Sequence, residues 1–459
     1  MKNLYLFRFL NKNFIKQYFI IYKELSTVLK YTFAIIVLVY SGIYKCYCIP
    51  SYARQTGLSC NACHSAFPEL NSFGRNFKLN GYTMTSIPTI EAGSDSGANR
   101  LSLLGSAPVS AMVMASASSI QKKIPGTQNN NVQFPQQLSL FYAGQISRRI
   151  GTFIQLTYDP GTGAIGMDNT DIRYANHVQI ASKDLLYGLT FNNNPTVQDV
   201  WNTVPAWRYP YASSGVAPSP SAATLIEGAF AGQVAGLGTY GLFDQTVYYE
   251  VSLYRSAPQG IDVADPPDSS SSNTINGLTP YWRFALQHQF SKNYLMIGTY
   301  GISSNLYPTY ISGKNDNYLD IGIDLQYEYS FPNAIASLHS SLIHEKQKLN
   351  ATFTDSSNLS FSLNSFKIDG NIYFNRGIGF TIGYFNISGD KNSIYKTLNG
   401  KPDSDGALFE INLLPWYNTK FSLQYVMYNK FNGQAKNYDG NNRNASQNNT
   451  LYCLMWLSF

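Results

Sequence analysis

An antiparallel β-barrel of about sixteen strands, of the kind that sits in an outer membrane, is the fold class this sequence predicts. Three observations carry it. Charged residues make up only 13% of the 459 while aromatics reach 15%, with 35 tyrosines, a balance that suits an aromatic-girdled barrel in lipid better than a soluble enzyme. From Arg100 onward, period-two alternation recurs and no helical period persists. Short and long connections alternate along nearly the whole chain, as they do where tight periplasmic turns face longer extracellular loops.

The chain opens on Lys2, Arg8, Lys12, Lys16, Lys23 and Lys30, followed by one apolar stretch from Phe33 to Ile43. That stretch falls short of the about 18–20 residues a transmembrane helix needs. Small residues at Cys46-x-Cys48 and Ser51-x-Ala53 follow it, so residues 1–48 read as a secretory signal with two candidate cleavage sites. Seven of the 33 basic and one of the 27 acidic residues lie there, leaving 26 of each. The formal charge of +6 therefore belongs to the targeting segment, and no basic patch remains for nucleic acid. Only Cys60, Cys63 and Cys453 follow the signal, so no disulfide framework is expected despite export.

Residues 49–99 form a small second segment built on Cys60-Asn61-Ala62-Cys63-His64. The C-x-x-C-H spacing is that of a c-type haem attachment site, with two thiols for the vinyl groups and an adjacent imidazole for the iron. A zinc site would need two more ligands, and the nearby Cys46 and Cys48 fall in the signal. A Cys60–Cys63 disulfide would not require His64. A segment of about fifty residues would depend on its cofactor for a core. Ser65 is placed to cap a helix with Pro68 in its first turn and Gly81 at its end. Phe67, Leu70, Phe73, Gly74 and Phe77 would share one face against the porphyrin. Arg75 and Lys78 either pair with haem propionates or lie on a solvated face.

Residues 100–459 supply the barrel, in sixteen alternating segments from 101–118 to 449–459. The clearest is Tyr318–Ser330. Leu319, Ile321, Ile323, Leu325, Tyr327 and Tyr329 lie on one face, and Asp320, Gly322, Asp324, Gln326 and Glu328 on the other. A one-residue slip would turn three carboxylates to the apolar side. Segments are also expected at 222–235 and 237–254, on either side of a turn at Gly236. Other tight turns are expected at Arg148–Ile150, Ser291–Lys292, Pro332–Asn333, Asn375–Arg376 and Trp416–Tyr417. Long loops are expected at Asn193–Ser221, Ser256–Gly277, Ser388–Ser404 and Asn432–Asn448. This rhythm puts both ends of the barrel on the periplasmic side. Strand parity sends His177 and His339 to the lumen, and His288, His344 and Cys453 outward. Lumen-facing Asp320, Asp324 and Glu328 offer oxygen ligands for a divalent cation, or line a hydrated wall.

Ala53-Arg54-Gln55-Thr56-Gly57-Leu58-Ser59 leading into the pentapeptide, then Phe67-Pro68-Glu69-Leu70 and Phe73-Gly74-Arg75-Asn76-Phe77-Lys78-Leu79-Asn80-Gly81-Tyr82, resemble the opening of the fused cytochrome–porins. These are the outer-membrane iron oxidases of iron-oxidising bacteria, which act as iron:rusticyanin or iron:cytochrome reductases. The run Asn192–Thr203 and the C-terminal strand ending in Phe459 are similar too. The resemblance implies one covalently bound haem c in or under the barrel, with Cys60 and Cys63 in thioether bonds and His64 as proximal ligand. Met84 is the first choice for the distal ligand, because a Met/His pair raises the potential toward that of a weak reductant. Fe(II) outside is then the electron donor, and a periplasmic cytochrome or copper protein the acceptor. The Tyr- and Asn-rich barrel and the long basic n-region depart from the family. They leave reduced sulfur, another metal or a solid surface open as donors. A solute channel with a haem plug is the reading from another class. One haem cannot wire across about 30 Å of hydrocarbon alone. Trp201, Trp207, Tyr209 and Tyr211 lie on the long loop, which would cover the haem, constrict the pore or fold at the surface.

Overall fold

The computed structural model describes residues 50–93, 100–161, 163–228, 230–257, 274–308, 313–353, 359–375 and 377–459. The expected signal, residues 1–48, lies outside them. Sixteen long strands among the described residues close into one antiparallel barrel. In chain order they are β1 Val109–Ile120, β2 Asn131–Ser147, β3 Ile150–Asp159 and β4 Ala164–Ile180. Then come β5 Lys183–Asn192, β6 Val234–Phe243, β7 Val247–Ser256 and β8 Thr279–Phe290. β9 Asn293–Tyr307, β10 Asp316–Ser330, β11 Ala334–Lys348 and β12 Ser360–Phe374 follow. The last are β13 Ile378–Gly389, β14 Ser404–Trp416, β15 Thr419–Lys430 and β16 Thr450–Ser458. β16 closes the cylinder on β1, from Thr450 opposite Ile120 to Ser458 opposite Met112.

Closure satisfies the backbone without a free edge, which is what lipid requires of a sheet. The outward positions are apolar: on β10 Ile321 and Ile323 are exposed, while Asp320, Gly322, Asp324, Gln326 and Glu328 are buried inside. Leu237, Ile382 and Phe380 are likewise exposed on the outer face, and so is Cys453. The three carboxylates of β10 thus face the lumen as the alternation predicts. The turns of two or three residues, from 148–149 to 417–418, fall at the end where β1 starts and β16 stops. Long loops occupy the other end.

Two expected strands are corrected. The segment 222–235 is not a strand, because Thr224 and Glu227 form a capping box that winds Leu225–Glu227 into a 3-10 turn. The segment 237–254 is a hairpin: β6 and β7 pair from Val234 opposite Ser256 to Phe243 opposite Val247. Its turn lies at Asp244-Gln245, both at positive φ (52° and 54°), the geometry of a type I′ hairpin turn. Gly236 lies within β6. The first barrel strand also starts later than 101, because Arg100–Leu104 pairs with Thr89–Gly93 in a separate ribbon.

Three short helices precede the barrel: α1 Pro50–Thr56, α2 Cys60–Cys63 and α3 Ser72–Leu79. Residues 47–459 form one compact unit, and the helical segment lies inside the short-turn end of the cylinder. Ser51 Oγ and Gln55 Nε2 donate to the Ala143 carbonyl of β2 at 2.6 and 2.9 Å. Tyr52 donates to Thr152 O of β3, and Tyr240 of β6 donates to Leu79 O. Asn61 Nδ2 donates to Tyr417 at the last short turn, 3.1 Å away. The segment is therefore a plug docked on the inner wall.

The long connection 193–233 folds inward from the opposite end to meet the plug. Trp201, Thr203 and Val204 are fully buried in the lumen. Arg283 of β8 lies between Asp199 of this loop (3.0 Å) and Asp324 of β10 (2.6 Å), with its guanidinium 4.6 Å from the centre of the Trp201 ring. The loop thus folds into the lumen rather than at the surface.

Candidate functional site

Between plug and loop lies a cavity of about 380 Å³, within the about 300–1,000 Å³ of small-molecule and cofactor sites. Cys60, Cys63 and His64 form part of its wall, together with Phe67, Leu70, Gly74 and Phe77 from the plug. The barrel contributes Met112, Phe141, Phe153 and Trp456, and the loop contributes Trp207, Arg208 and Tyr211. Four strands, three helical turns and one loop thus surround the Cys-x-x-Cys-His turn with aromatic carbon.

The helix after that turn starts later than expected. Ser65 does not cap it; His64–Ala66 instead pairs with Glu69–Leu70 in a two-stranded ribbon. Asn71 is the cap, accepting from Gly74 N at 3.0 Å. Its side-chain amide also donates to the carbonyls of Asn61 and Ala62, tying α3 to α2. Gly74 permits the approach: a Cβ there would collide with the Cys63 carbonyl oxygen. Phe67, Leu70, Gly74 and Phe77 line the cavity as the predicted face, whereas Phe73 points away and is 41% exposed.

His64 is oriented by its backbone neighbours. Its Nδ1 lies 3.1 Å from Pro68 O and 3.3 Å from Glu69 O. Carbonyls only accept, so Nδ1 carries the hydrogen and Nε2 keeps its lone pair, the tautomer a metal-ligating imidazole adopts. Burial lowers its pKa to about 4, which keeps the ring neutral at ordinary pH. The Phe67 ring packs edge-on against His64, centroids 5.4 Å apart, and against Trp456 at 5.0 Å.

Cys63 is a free, half-buried thiol that burial pushes up to about 11. Cys60 is buried and disulfide-bonded while Cys63 is free, so the two are not paired with each other. A sulfur in a disulfide carries no thioether, so haem attachment at Cys60 requires that bond to be reduced.

Met84 packs against the cluster of Phe77, Tyr82, Met112 and Phe141 without lining the cavity; Met112, on the lumenal face of β1, does line it. Arg75 and Lys78 are not on a solvated face, nor do they point free into the cavity. Arg75 pairs bidentately with Glu328 (2.5 and 3.1 Å), and its guanidinium lies 3.9 Å from the Tyr294 ring centre. Lys78 Nζ donates to Val197 O and Asp199 O of the inward loop at 2.7 and 2.8 Å. Burial, with Arg173 nearby, lowers its pKa to about 7. These partners lie more than a hundred residues away, and nothing local in the sequence signals them.

The lumenal carboxylates are engaged as structural partners. Asp324 accepts from Arg283 and Thr203, Glu328 from Arg75, and Asp320 from the Ile226 backbone at 2.8 Å. Among the described residues no three His, Cys, Asp or Glu side chains are grouped to hold a metal ion. His339 is buried in the lumen between Asp369 (3.0 Å) and Glu69 of the plug (3.7 Å). His177 reaches Asn80 of the plug from the rim, while His288 is exposed and His344 bonds Asn364. All four follow strand parity.

These features define a membrane β-barrel whose lumen holds an N-terminal plug bearing Cys-x-x-Cys-His. No protein-family model matches the chain, and none of the curated proteins does. Among solved structures it is similar to the Salmonella typhi OmpF complex with daunomycin, at 13% identity and TM-score 0.46, covering 76% of this chain and 97% of that one. It is also similar to the anion-selective porin from Comamonas acidovorans (9%, TM-score 0.42, 76% and 98%). The outer membrane channel DcaP of Acinetobacter baumannii is a third (12%, TM-score 0.41, 76% and 96%). The likeness is loose, and the barrel class rests on the strand pairing itself.

Proposed function

We propose that this protein is an outer-membrane cytochrome of the fused cytochrome–porin type, which oxidises extracellular Fe(II) and passes the electrons to a periplasmic cytochrome or copper protein. The observation that carries the proposal is the Cys60-x-x-Cys63-His64 turn on the wall of an aromatic-lined lumenal cavity, with His64 already in the ligating tautomer. The residues present fit a haem c. The Cys63 thiol and the His64 imidazole are adjacent, Cys60 offers a second thiol once its disulfide is reduced, apolar rings line the walls, and two buried donors on the wall, Tyr211 Oη and Trp456 Nε1, have no protein partner among the described residues. A haem held there supplies one-electron redox chemistry whose potential follows axial ligand and burial.

This chain's own part is to bind, orient and exclude water. His64 is held by the Pro68 and Glu69 carbonyls, α3 supports the turn through Asn71 and Gly74, and the loop carrying Trp207 and Tyr211 closes the cavity from the long-loop side. Fe(II) is substrate here, met without a built metal site among the described residues. Stopped-flow mixing of the purified oxidised protein with Fe(II), read by haem absorption at the organism's working pH, tests the proposal. Reduction on mixing is the expected result. A haem that stays oxidised with Fe(II) but is reduced by sulfide moves the donor to reduced sulfur and ends the iron reading.

A further inference from the structure

Two hydrogen-bond donors on the cavity wall stand unpaired among the described residues: the Tyr211 hydroxyl and the Trp456 indole Nε1. Trp456 is 8% exposed on the lumenal face of β16. A buried donor left unpaired is destabilising, and native interiors carry few without a ligand, ion or water to meet them. Other cationic groups on the wall are already engaged: Lys78 by two loop carbonyls, Arg208 by Glu227 at 2.5 Å.

A cation stands near the two residues that carry these donors, just behind the cavity lining. Lys420 of β15 is directly opposite Trp456 in the sheet register, and its Nζ lies 5.6 Å from the centre of the Tyr211 ring. Its ion pair with Glu410 is long, 3.5 Å, and Glu410 also accepts from Gln424 at 2.7 Å. The corner therefore offers two unspent donors beside a weakly held ammonium. Its complement is a ligand group that accepts hydrogen bonds and carries negative charge.

We propose that Tyr211, Trp456 and Lys420 form the seat for the carboxylate groups of the molecule held in the lumenal cavity. The inference rests on the haem reading, under which those carboxylates are the propionates. It ties the cofactor's polar edge to three separate parts of the fold: the inward loop, β15 and the closing strand.

The test uses the full-length protein in detergent, with Tyr211→Phe, Trp456→Phe and Lys420→Met compared with wild type. Haem content is read by pyridine haemochrome and barrel folding by heat-modifiable gel mobility. Resonance Raman reports the propionate bending modes, and a redox titration the potential. Losing a donor or the ammonium leaves propionate charge less compensated, which favours the ferric state and lowers the potential. The expected change in the redox equilibrium is about fivefold per variant, roughly 40 mV at 59 mV per tenfold for one electron. Propionate modes should move in all three. If Tyr211→Phe and Lys420→Met fold and carry haem with modes and potential unchanged, the seat is refuted while the haem reading stands. If wild type carries no haem, the haem reading itself falls and the seat falls with it. Tyr211→Phe keeps the ring, so its result is valid even if Trp456→Phe does not fold.

Discussion

Replacing Arg75 by Met should release the plug without unfolding the barrel. In the folded protein the Arg75 guanidinium makes two bonds to Glu328, donates to Leu70 O at 3.0 Å, and stacks on Tyr294. Both members of the ion pair are buried, at 3% and 8% side-chain exposure. Removing the cation leaves Glu328 as a buried carboxylate with only the Gln326 amide, at 2.9 Å, among its described partners. Breaking a buried pair from one side costs about 3–5 kcal/mol. At 1.4 kcal/mol per tenfold, the undocked fraction of α3 rises by about 10² to 4 × 10³-fold. Hydrogen exchange reads this directly, because sub-global opening is reported amide by amide. Amides of α3 and the Glu69–Leu70 ribbon should exchange faster by that factor while β8–β12 stay at wild-type rates. Arg75→Met combined with Glu328→Gln should recover most of the protection, since no buried charge is then left unpaired. Equal acceleration in α3 and the strands, or none in either, would refute the idea that this ion pair holds the plug locally.

Gly74→Ala should push α3 off the Cys63 carbonyl and lower haem content per folded barrel, measured by pyridine haemochrome against heat-modifiable mobility. Met112→Ala should convert a low-spin spectrum to high-spin, because Met112 is the thioether on the cavity wall. Met84→Ala should leave the spectrum low-spin, and the opposite pattern in absorption spectra would restore Met84 as ligand. Glu227 on the inward loop is pushed up by burial but pulled further down by Lys367 and Arg208, to about 2 from an ordinary 4.5. A folded pKa below the unfolded one adds stability that is full above pH 4.5 and lost as pH falls through about 2. The difference in thermal stability between wild type and Glu227→Gln, roughly 3 kcal/mol at its plateau, should therefore hold from neutrality to pH 4.5 and vanish toward pH 2.

The barrel was legible because its signal is local and repeated. From Leu319 to Tyr329, β10 alternates apolar or aromatic residues with Asp, Gly, Gln or Glu, and each side chain lands on the face its parity assigns. The misread stretch, 222–254, lacks that contrast. Its Tyr and Gly residues suit either face, and the Asp244-Gln245 turn has none of the glycine that usually marks a type I′ turn. Thr224-x-x-Glu227 was a readable cap that the surrounding apolar residues obscured. At the site, Cys60, Cys63 and His64 are adjacent in sequence and so were found. Met112, Phe141, Phe153 and Trp456 come from four strands, and parity gives the face of a residue but not its height in the barrel. Arg75 reads equally as a haem partner or a solvated residue, because its actual partner Glu328 lies 253 residues away.

The way the lumen is filled bears on what this barrel can pass. Asp171 is buried between Arg173 (2.7 Å), the Tyr82 hydroxyl of the plug (2.7 Å) and Thr190 (2.9 Å). Arg173 in turn donates to Gln198 O of the inward loop and Lys78 O of α3. With the Arg283 bridge between Asp199 and Asp324, this network joins wall, plug and loop into one packed unit with no exposed charge at those positions. A solute conduit needs its polar lining solvated, so that a hydrated molecule exchanges water for wall groups along the way. Here the charged groups are spent on each other, and the carboxylates that in sequence looked ready for a cation act as clamps. A hydrated ion cannot cross such a plug without breaking those pairs, whereas an electron needs only closely packed groups. The His64–Phe67–Trp456 contacts, at 5.4 and 5.0 Å, supply such packing between the Cys-x-x-Cys-His turn and the barrel wall. On the proposed haem reading the filled lumen suits a relay, and the Arg75–Glu328 pair is among the contacts that hold plug and wall together.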